Sequence, residues 1–226
     1  MSQGNGAKRG PGRPRAGSED KRARVLAEAL TLFSTRGYAG TSLGEVANAA
    51  DISKAGLLHH FSSKDALFAA VLEERDRKSI EVHGDSQFSD VRQVLSALVE
   101  TVRANAKAVE GTALYVAMTG AVVSTDHPAH DWFAQHLSAA VTMLERAFED
   151  GKAAGTVRPD APSRRIARAI VALADGLQVQ MACARAERLA APEADPDLPY
   201  DADLGEEFAA AIAAVMARWL VDGAQR

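Results

Sequence analysis

Residues 41–68 read TSLGEVANAADISKAGLLHHFSSKDALF, and their spacing decides the fold. Ser42 is an N-cap type, and Glu45 three residues on completes a capping box. Leu43, Val46, Ala47 and Ala50 recur at helical spacing on one face. Asp51 tolerates left-handed backbone geometry and can end this short helix without a glycine. Ile52 is a buried-type anchor, and Ser53 caps a second helix whose apolar face is Leu57, Leu58 and Phe61. Its outward positions are Lys54, Ala55, Gly56, His59 and His60. Small residues there let the backbone approach a surface, and the cation and imidazoles can reach phosphates or base edges. Such an arrangement predicts a helix-turn-helix, in which the first helix props and the second enters a major groove.

The same stretch resembles the DNA-binding domain of the TetR (tetracycline-repressor) family. Thr41, Val46, Ala47, Ile52, Ser53, Lys54, Leu57, His60, Phe61, Ser63, Lys64 and Leu67 stand at the family's positions. Two places depart from it. Asp51 replaces a common turn glycine, and Leu58 replaces an aromatic whose hydroxyl usually meets a phosphate. The resemblance covers roughly residues 18–72 closely and the remainder in outline. It implies phosphate contacts from Thr41, Ser42, Lys54, His60 and Lys64, and base-edge contacts from Ser53, Ala55, Gly56 and His59.

Upstream, residues 1–17 carry Lys8, Arg9, Arg13 and Arg15 among glycines and prolines, with no apolar face to fold on. The Gly12-Arg13-Pro14-Arg15 core resembles an AT-hook, which would lay Arg13 and Arg15 in a flanking minor groove; a solvated tail is the alternative. The charge is divided along the chain. Residues 1–68 hold ten Lys/Arg against six Asp/Glu, so the net charge of -4 conceals a basic end on an acidic body. That asymmetry orients the molecule toward a polyanion.

Beyond residue 68 the patterns are helical throughout, and the chain is expected to be all-α with about nine helices, three small and six in the body. The expected division is a basic arm (1–17), a helix-turn-helix domain (18–68) and a ligand-binding and dimerisation domain (69–226). A first helix from Ser18 to Arg36-Gly37 and a fourth from Ser62 or Ser63 to about Ile80 frame the motif. In the body, helices are expected to stop near Gly111, between Ser124 and Pro128, and at Gly151 and Gly155. No apolar run of the ~18 residues that a membrane helix needs is evident, and no signal-peptide core opens the chain. A single cysteine, Cys183, fits a reducing cytoplasm and is expected to be a small core residue.

Bulky residues cluster in an otherwise alanine-rich body. Tyr115, Met118, Trp132, Phe133, Met143 and Phe148 are either core or the walls of a mostly apolar cavity. Tyr115, His136 and Gln178 are its candidate polar handles, suiting a small, largely hydrophobic effector. On the last two helices apolar residues occupy more than one face: Ile170, Leu173, Leu177 and Met181 beside Ala174 and Gly176, then Phe208, Ile212, Val215 and Trp219. One face would be left exposed in a monomer, so a two-fold dimer through these helices is expected. His127, His130 and His136 invite a metal reading, but no carboxylate pair or cysteine stands at ligand spacing, so neither metal nor cofactor is expected. Phosphate loops, nucleophile elbows and HExxH patterns are lacking, which argues against an enzyme. The reading is a homodimeric, ligand-responsive repressor bound to double-stranded DNA, with no membrane partner. An activator or global regulator of the same fold is the alternative, and a helical adaptor that does not bind DNA is a third reading.

Overall fold

The structure, a computed structural model, describes residues 16–81, 90–191, 193 and 203–221. Arg13, Arg15 and most of the Pro/Asp-rich loop near residue 195 lie outside them. Among the described residues there are nine α-helices, and the fold is all-α. They are α1 (Ala16–Arg36), α2 (Leu43–Ala49), α3 (Lys54–His60), α4 (Lys64–Glu81), α5 (Val91–Lys107), α6 (Val109–Met118), α7 (His130–Ala153), α8 (Ser163–Ala190) and α9 (Leu204–Trp219).

Local chemistry places most of the boundaries. Gly37 takes φ 71, and its N–H returns to the Phe33 carbonyl at 3.0 Å, closing α1. Asp203 opens α9 by accepting from the Glu206 N–H at 2.9 Å. Three expected stops differ, the first being α6, which ends at Met118 with a separate short 3-10 helix over Ala121–Val123, ahead of the expected Ser124 to Pro128. The α5–α6 break falls at Ala108, so Gly111 lies inside α6, where a Cβ would stand 3.9 Å from the Arg75 stem. Gly151 likewise lies inside α7; a side chain there would collide with Val157, and Gly155 at φ 75 makes the turn instead. At Gly151 glycine serves a close approach between segments rather than a helix end, whereas at Gly111 a Cβ would make only ordinary contact.

Burial forms two clusters. The first begins with Val25, Ala29 and Phe33 of α1 and takes in Val46, Leu57, Phe61, Phe68 and Leu72. It then runs without a gap into Leu114, Tyr115, Met118 and Phe133 of the body. The expected division at residue 68 is therefore a boundary of sequence pattern, not of packing, because α1 rests on α6 as well as on α2 and α4. The second cluster joins α5, α7, α8 and α9 through Leu95, Val102, Leu144, Phe148, Ile166, Ile170, Phe208 and Ile212.

Helix α8 corrects two expectations. Its 28 residues include an 18-residue window of mean hydropathy 1.3, so by length and composition it is apolar enough to cross a membrane. Only 28% of that window is buried. Cys183, expected in the core, is exposed, while its neighbour Ala184 is buried. The helix thus turns one stripe inward and leaves an apolar stripe uncovered.

Candidate nucleic-acid interface and effector body

The helix-turn-helix is assembled from hydrogen bonds that its sequence demands. The Ser42 hydroxyl accepts from the Glu45 N–H at 3.3 Å, and Glu45 accepts from the Ser42 N–H at 2.8 Å. Glu45 also pairs with Arg36 at 2.9 Å, which ties α2 to the end of α1. The Ser42 hydroxyl and N–H, with Arg36 adding less, hold the Glu45 carboxyl below the usual glutamate range. Asp51 takes φ 51 and the Ile52 N–H donates to the Ala47 carbonyl at 3.0 Å, so the turn closes without a glycine. Ser53 caps α3 by accepting from Gly56 N–H at 3.0 Å, and Ser63 caps α4 by accepting from Ala66 N–H at 3.0 Å.

These caps aim α3. Leu57 and Phe61 are buried in the cluster shared with α1, α2 and α4, while Lys54, Ala55, Leu58 and His59 are exposed and Gly56 and His60 half-buried. A face of one cation, two imidazoles and two small residues is thus held outward by a locked apolar face. Leu58, read from the sequence as part of the apolar face, is 41% exposed and belongs to the outward one. Thr41, expected at a phosphate, is turned inward. It is 2% exposed, and its hydroxyl donates to the Leu32 and Gly37 carbonyls at 3.2 and 3.0 Å. A buried hydroxyl without partners costs free energy, so the α1–α2 turn captures it. Lys64, half-buried at the start of α4, sits over the Tyr38 ring at 4.2 Å. Tyr38 was not singled out by the sequence reading, although it lies between Gly37 and Gly40 where an aromatic can cover the turn. Its ring packs on Phe33 and Phe68, and its hydroxyl donates to the Asp65 carboxylate. Partial burial, then the hydrogen bond and the charge of Asp65, push the Tyr38 phenol up to about 12.

Comparison with known proteins matches this part of the chain. A profile described as "Bacterial regulatory proteins, tetR family" covers residues 25–71, from the first buried valine of α1 to the fourth helix. The helix-turn-helix part of the chain matches the TetR family. It is 47% identical over 62 residues to the HTH-type transcriptional regulator RutR of Escherichia coli K12, covering 27% of this chain and 29% of that one. It is 35% identical over 105 residues to the HTH-type transcriptional activator FasR of Mycolicibacterium smegmatis, covering 46% and 43%. The chain thus spans less than half the length of either relative. A TetR transcriptional regulator from Chloroflexus aurantiacus shares the fold at a TM-score of 0.70 and 21% identity, over 92% of this chain and all of that one.

Outside the reading domain, the body departs from the expected pocket. Tyr115 and Phe133 are buried and stack at 4.9 Å, Trp132 stacks on His136 at 5.1 Å, and Met118 is buried with them. Phe148 lies in the other cluster, and Met143 is 46% exposed. Gln178 is buried; its Nε2 donates to the Ala174 carbonyl at 3.2 Å and its Oε1 has no partner among the described residues. The aromatic residues fill space instead of enclosing it. A cavity of about 560 Å³ lies elsewhere, between α1, α4 and the α5–α6 turn, and none of the eight expected residues lines it.

A polar network threads the aromatic cluster. The Tyr115 hydroxyl donates to Asp175 at 3.0 Å, Arg75 lies 4.4 Å above the Tyr115 ring, and Arg75 meets Asp76 at 3.4 Å. The other Asp76 oxygen meets His136 Nδ1 at 3.1 Å. Burial raises the Asp175 carboxyl and outweighs the hydrogen bond from Tyr115, while burial also pushes the Tyr115 phenol well up. The network joins α4 to α6, α7 and α8. The remaining histidines have separate tasks: His127 Nδ1 accepts from the Ala129 N–H, and His130 Nδ1 lies 2.7 Å from the Val122 carbonyl.

The dimer residues divide. Ile170, Phe208 and Ile212 are buried within the protomer, so they hold α8 and α9 onto α5 and α7 rather than facing a partner. Ala174, Leu177, Met181, Val215 and Trp219 are half-buried on the same core. Leu173 and Gly176 face outward, joined on α8 by Ala169, Ala172, Val179 and Cys183 and on α9 by Ala210, Ala213, Ala214 and Ala217.

Proposed function

We propose that this chain is a ligand-responsive transcriptional repressor that binds a near-palindromic operator as a homodimer in the cytoplasm. The observation that carries the DNA-binding half is the outward face of α3. Lys54, Ala55, Gly56 and His59 lie on it, with His60 at its edge, Ser53 at its N-cap and Lys64 on the next helix start. Base edges would be met by Ser53, Ala55, Gly56 and His59, and phosphates by Ser42, Lys54, His60 and Lys64, with Arg13 and Arg15 in the adjoining minor groove. Thr41 is excluded from this set, because both carbonyls around its hydroxyl already hold it.

Dimerisation is favoured by the uncovered stripes of α8 and α9. Alanine, glycine and one leucine at helical spacing permit two helices to approach closely, and an apolar helix left mostly uncovered needs a cover. Two-fold pairing there would hold the two α3 helices ~34 Å apart, one turn of DNA. Ligand response is favoured by the continuity of the first cluster from the reading domain into the body, and by the Arg75–Tyr115–Asp175 network that ties α4 to α6 and α8. A ligand that prefers one spacing of the reading helices can lower operator affinity through that connection. Genomic footprinting of the purified chain, followed by titration of the recovered site across salt concentrations, tests the reading. A two-fold symmetric footprint and affinity falling steeply with salt are expected; a chain that recovers no site and shows no salt-dependent binding is not this regulator. An activator is the second reading, favoured by the match to FasR, which extends beyond the reading domain.

A further inference from the structure

The cavity of about 560 Å³ is of the size that encloses a small organic ligand. Leu26 and Leu30 of α1, Val71 of α4 and Gly111 of α6 contribute apolar walls, and the exposed turn of Lys107 to Glu110 forms the rim. Its polar wall holds Glu74, Asn105, Thr112 and Arg75, and the Arg75 side chain is only 9% exposed. A guanidinium carries five N–H donors. Among the described residues Arg75 makes one long hydrogen bond, 3.4 Å to Asp76, and otherwise lies on the face of Tyr115. The carboxylates around it are committed elsewhere. Asp76 also meets His136, Asp175 takes the Tyr115 hydroxyl, Glu74 is held by Arg77 at 2.6 and 2.8 Å, and Glu110 accepts from Thr31 at 3.2 Å. Burial accordingly depresses the Arg75 pKa from its ordinary value. Exposed rim charges such as Lys107 and Glu110 are screened by water and contribute little, so the buried and sparsely paired cation sets the preference of the site.

We propose that this cavity binds an amphipathic organic anion, an apolar chain or ring ending in a carboxylate, with the carboxylate received by Arg75. The proposal gives a place and a chemistry to the ligand response proposed above and rests on it for its consequence. Two parallel N–H···O bonds to a carboxylate are the pairing that a guanidinium is shaped for. The walls belong to α1, α4 and the α5–α6 turn together, so an occupant touches the reading domain, the helix leading out of it and the body at once.

The test uses the full chain with octanoate, decanoate and dodecanoate, and with decanol and decyltrimethylammonium as neutral and cationic counterparts. Calorimetric titration is expected to show decanoate binding at least about tenfold tighter than decanol. Arg75→Met should lose about tenfold or more of the decanoate affinity while leaving decanol unchanged, and Arg75→Lys should restore most of it. Should Arg75→Met fail to fold, Ala27→Trp, which fills the cavity from the exposed side of α1, should block decanoate with Arg75 intact. Carboxylates that bind no tighter than decanol, fail to bind, or bind indifferently to these variants overturn the proposal. Operator release is scored separately. Decanoate bound at Arg75 without any change in operator affinity upholds the site and removes the ligand-responsive reading. Release by the cationic amphiphile alone leaves that reading and overturns this one.

Discussion

Leu173→Glu separates the dimer from the protomer. Leu173 is 37% exposed on the outward stripe of α8. Fully burying a leucine contributes about 1.5–3 kcal/mol, so covering its remaining third contributes about 0.5–1 kcal/mol per protomer. A two-fold interface counts the residue twice, for about 1–2 kcal/mol per dimer. Glutamate removes that and adds the desolvation of two carboxylates, several kcal/mol each when no partner is supplied. The dimer Kd should therefore weaken by at least about a hundredfold. Within the protomer the same glutamate meets water, so helix content and the urea midpoint at low protein concentration should barely move. Ile212→Glu is the contrast: Ile212 is 2% exposed beside fully buried Phe208, and a carboxylate there should unfold the body rather than yield a folded monomer. Sedimentation equilibrium with circular dichroism reads both variants. The Cys183 thiol, on the same stripe, should react faster with a thiol reagent in the Leu173→Glu monomer. A Leu173→Glu protein that keeps its dimer Kd refutes the assignment and moves the interface off this face.

Thr41→Val, nearly isosteric, should cost about 1–2 kcal/mol in urea unfolding through the Leu32 and Gly37 carbonyls, with no change in the salt slope of operator binding; a slope lowered by one phosphate contact would return Thr41 to the interface. Lys64→Ala should weaken binding to every DNA sequence alike and reduce the salt slope by about one. It should also lose about 0.5–1 kcal/mol of stability with the Tyr38 contact at 4.2 Å, and equal affinity in the variant and the parent would contradict its role. Asp175→Asn tests the buried network through pH. The Asp175 carboxyl is raised above its ordinary 3.8, so the stability it contributes is complete below that value and is lost as pH rises through the raised pKa. Asparagine is always neutral and can still accept from Tyr115, so the variant's advantage over the parent should grow from acid toward neutral pH; an advantage that shrinks with pH would reverse the sign of the argument.

Sequence determined the reading motif because its determinants are local. Ser42 with Glu45, Asp51 in the left-handed turn, Ser53 before Gly56 and the Leu57/Phe61 stripe each act within four residues, and helical spacing alone assigns Lys54, Ala55 and His59 outward. The number of helices and the C-terminal end of α1 were legible for the same reason. Tertiary structure decided what spacing leaves open. Periodicity shows that α8 and α9 have two apolar faces but not which one the protomer consumes, so Ile170 and Ile212 looked equivalent to Leu173 until α5 and α7 were packed on them. Thr41 read as a surface hydroxyl until the carbonyls of Leu32 and Gly37 closed over it. The cavity was beyond sequence altogether, since it is the space left where α1 meets a turn some eighty residues further along the chain. Aromatic richness marked Tyr115 and Phe133 instead, and large flat rings are the residues that stack and fill.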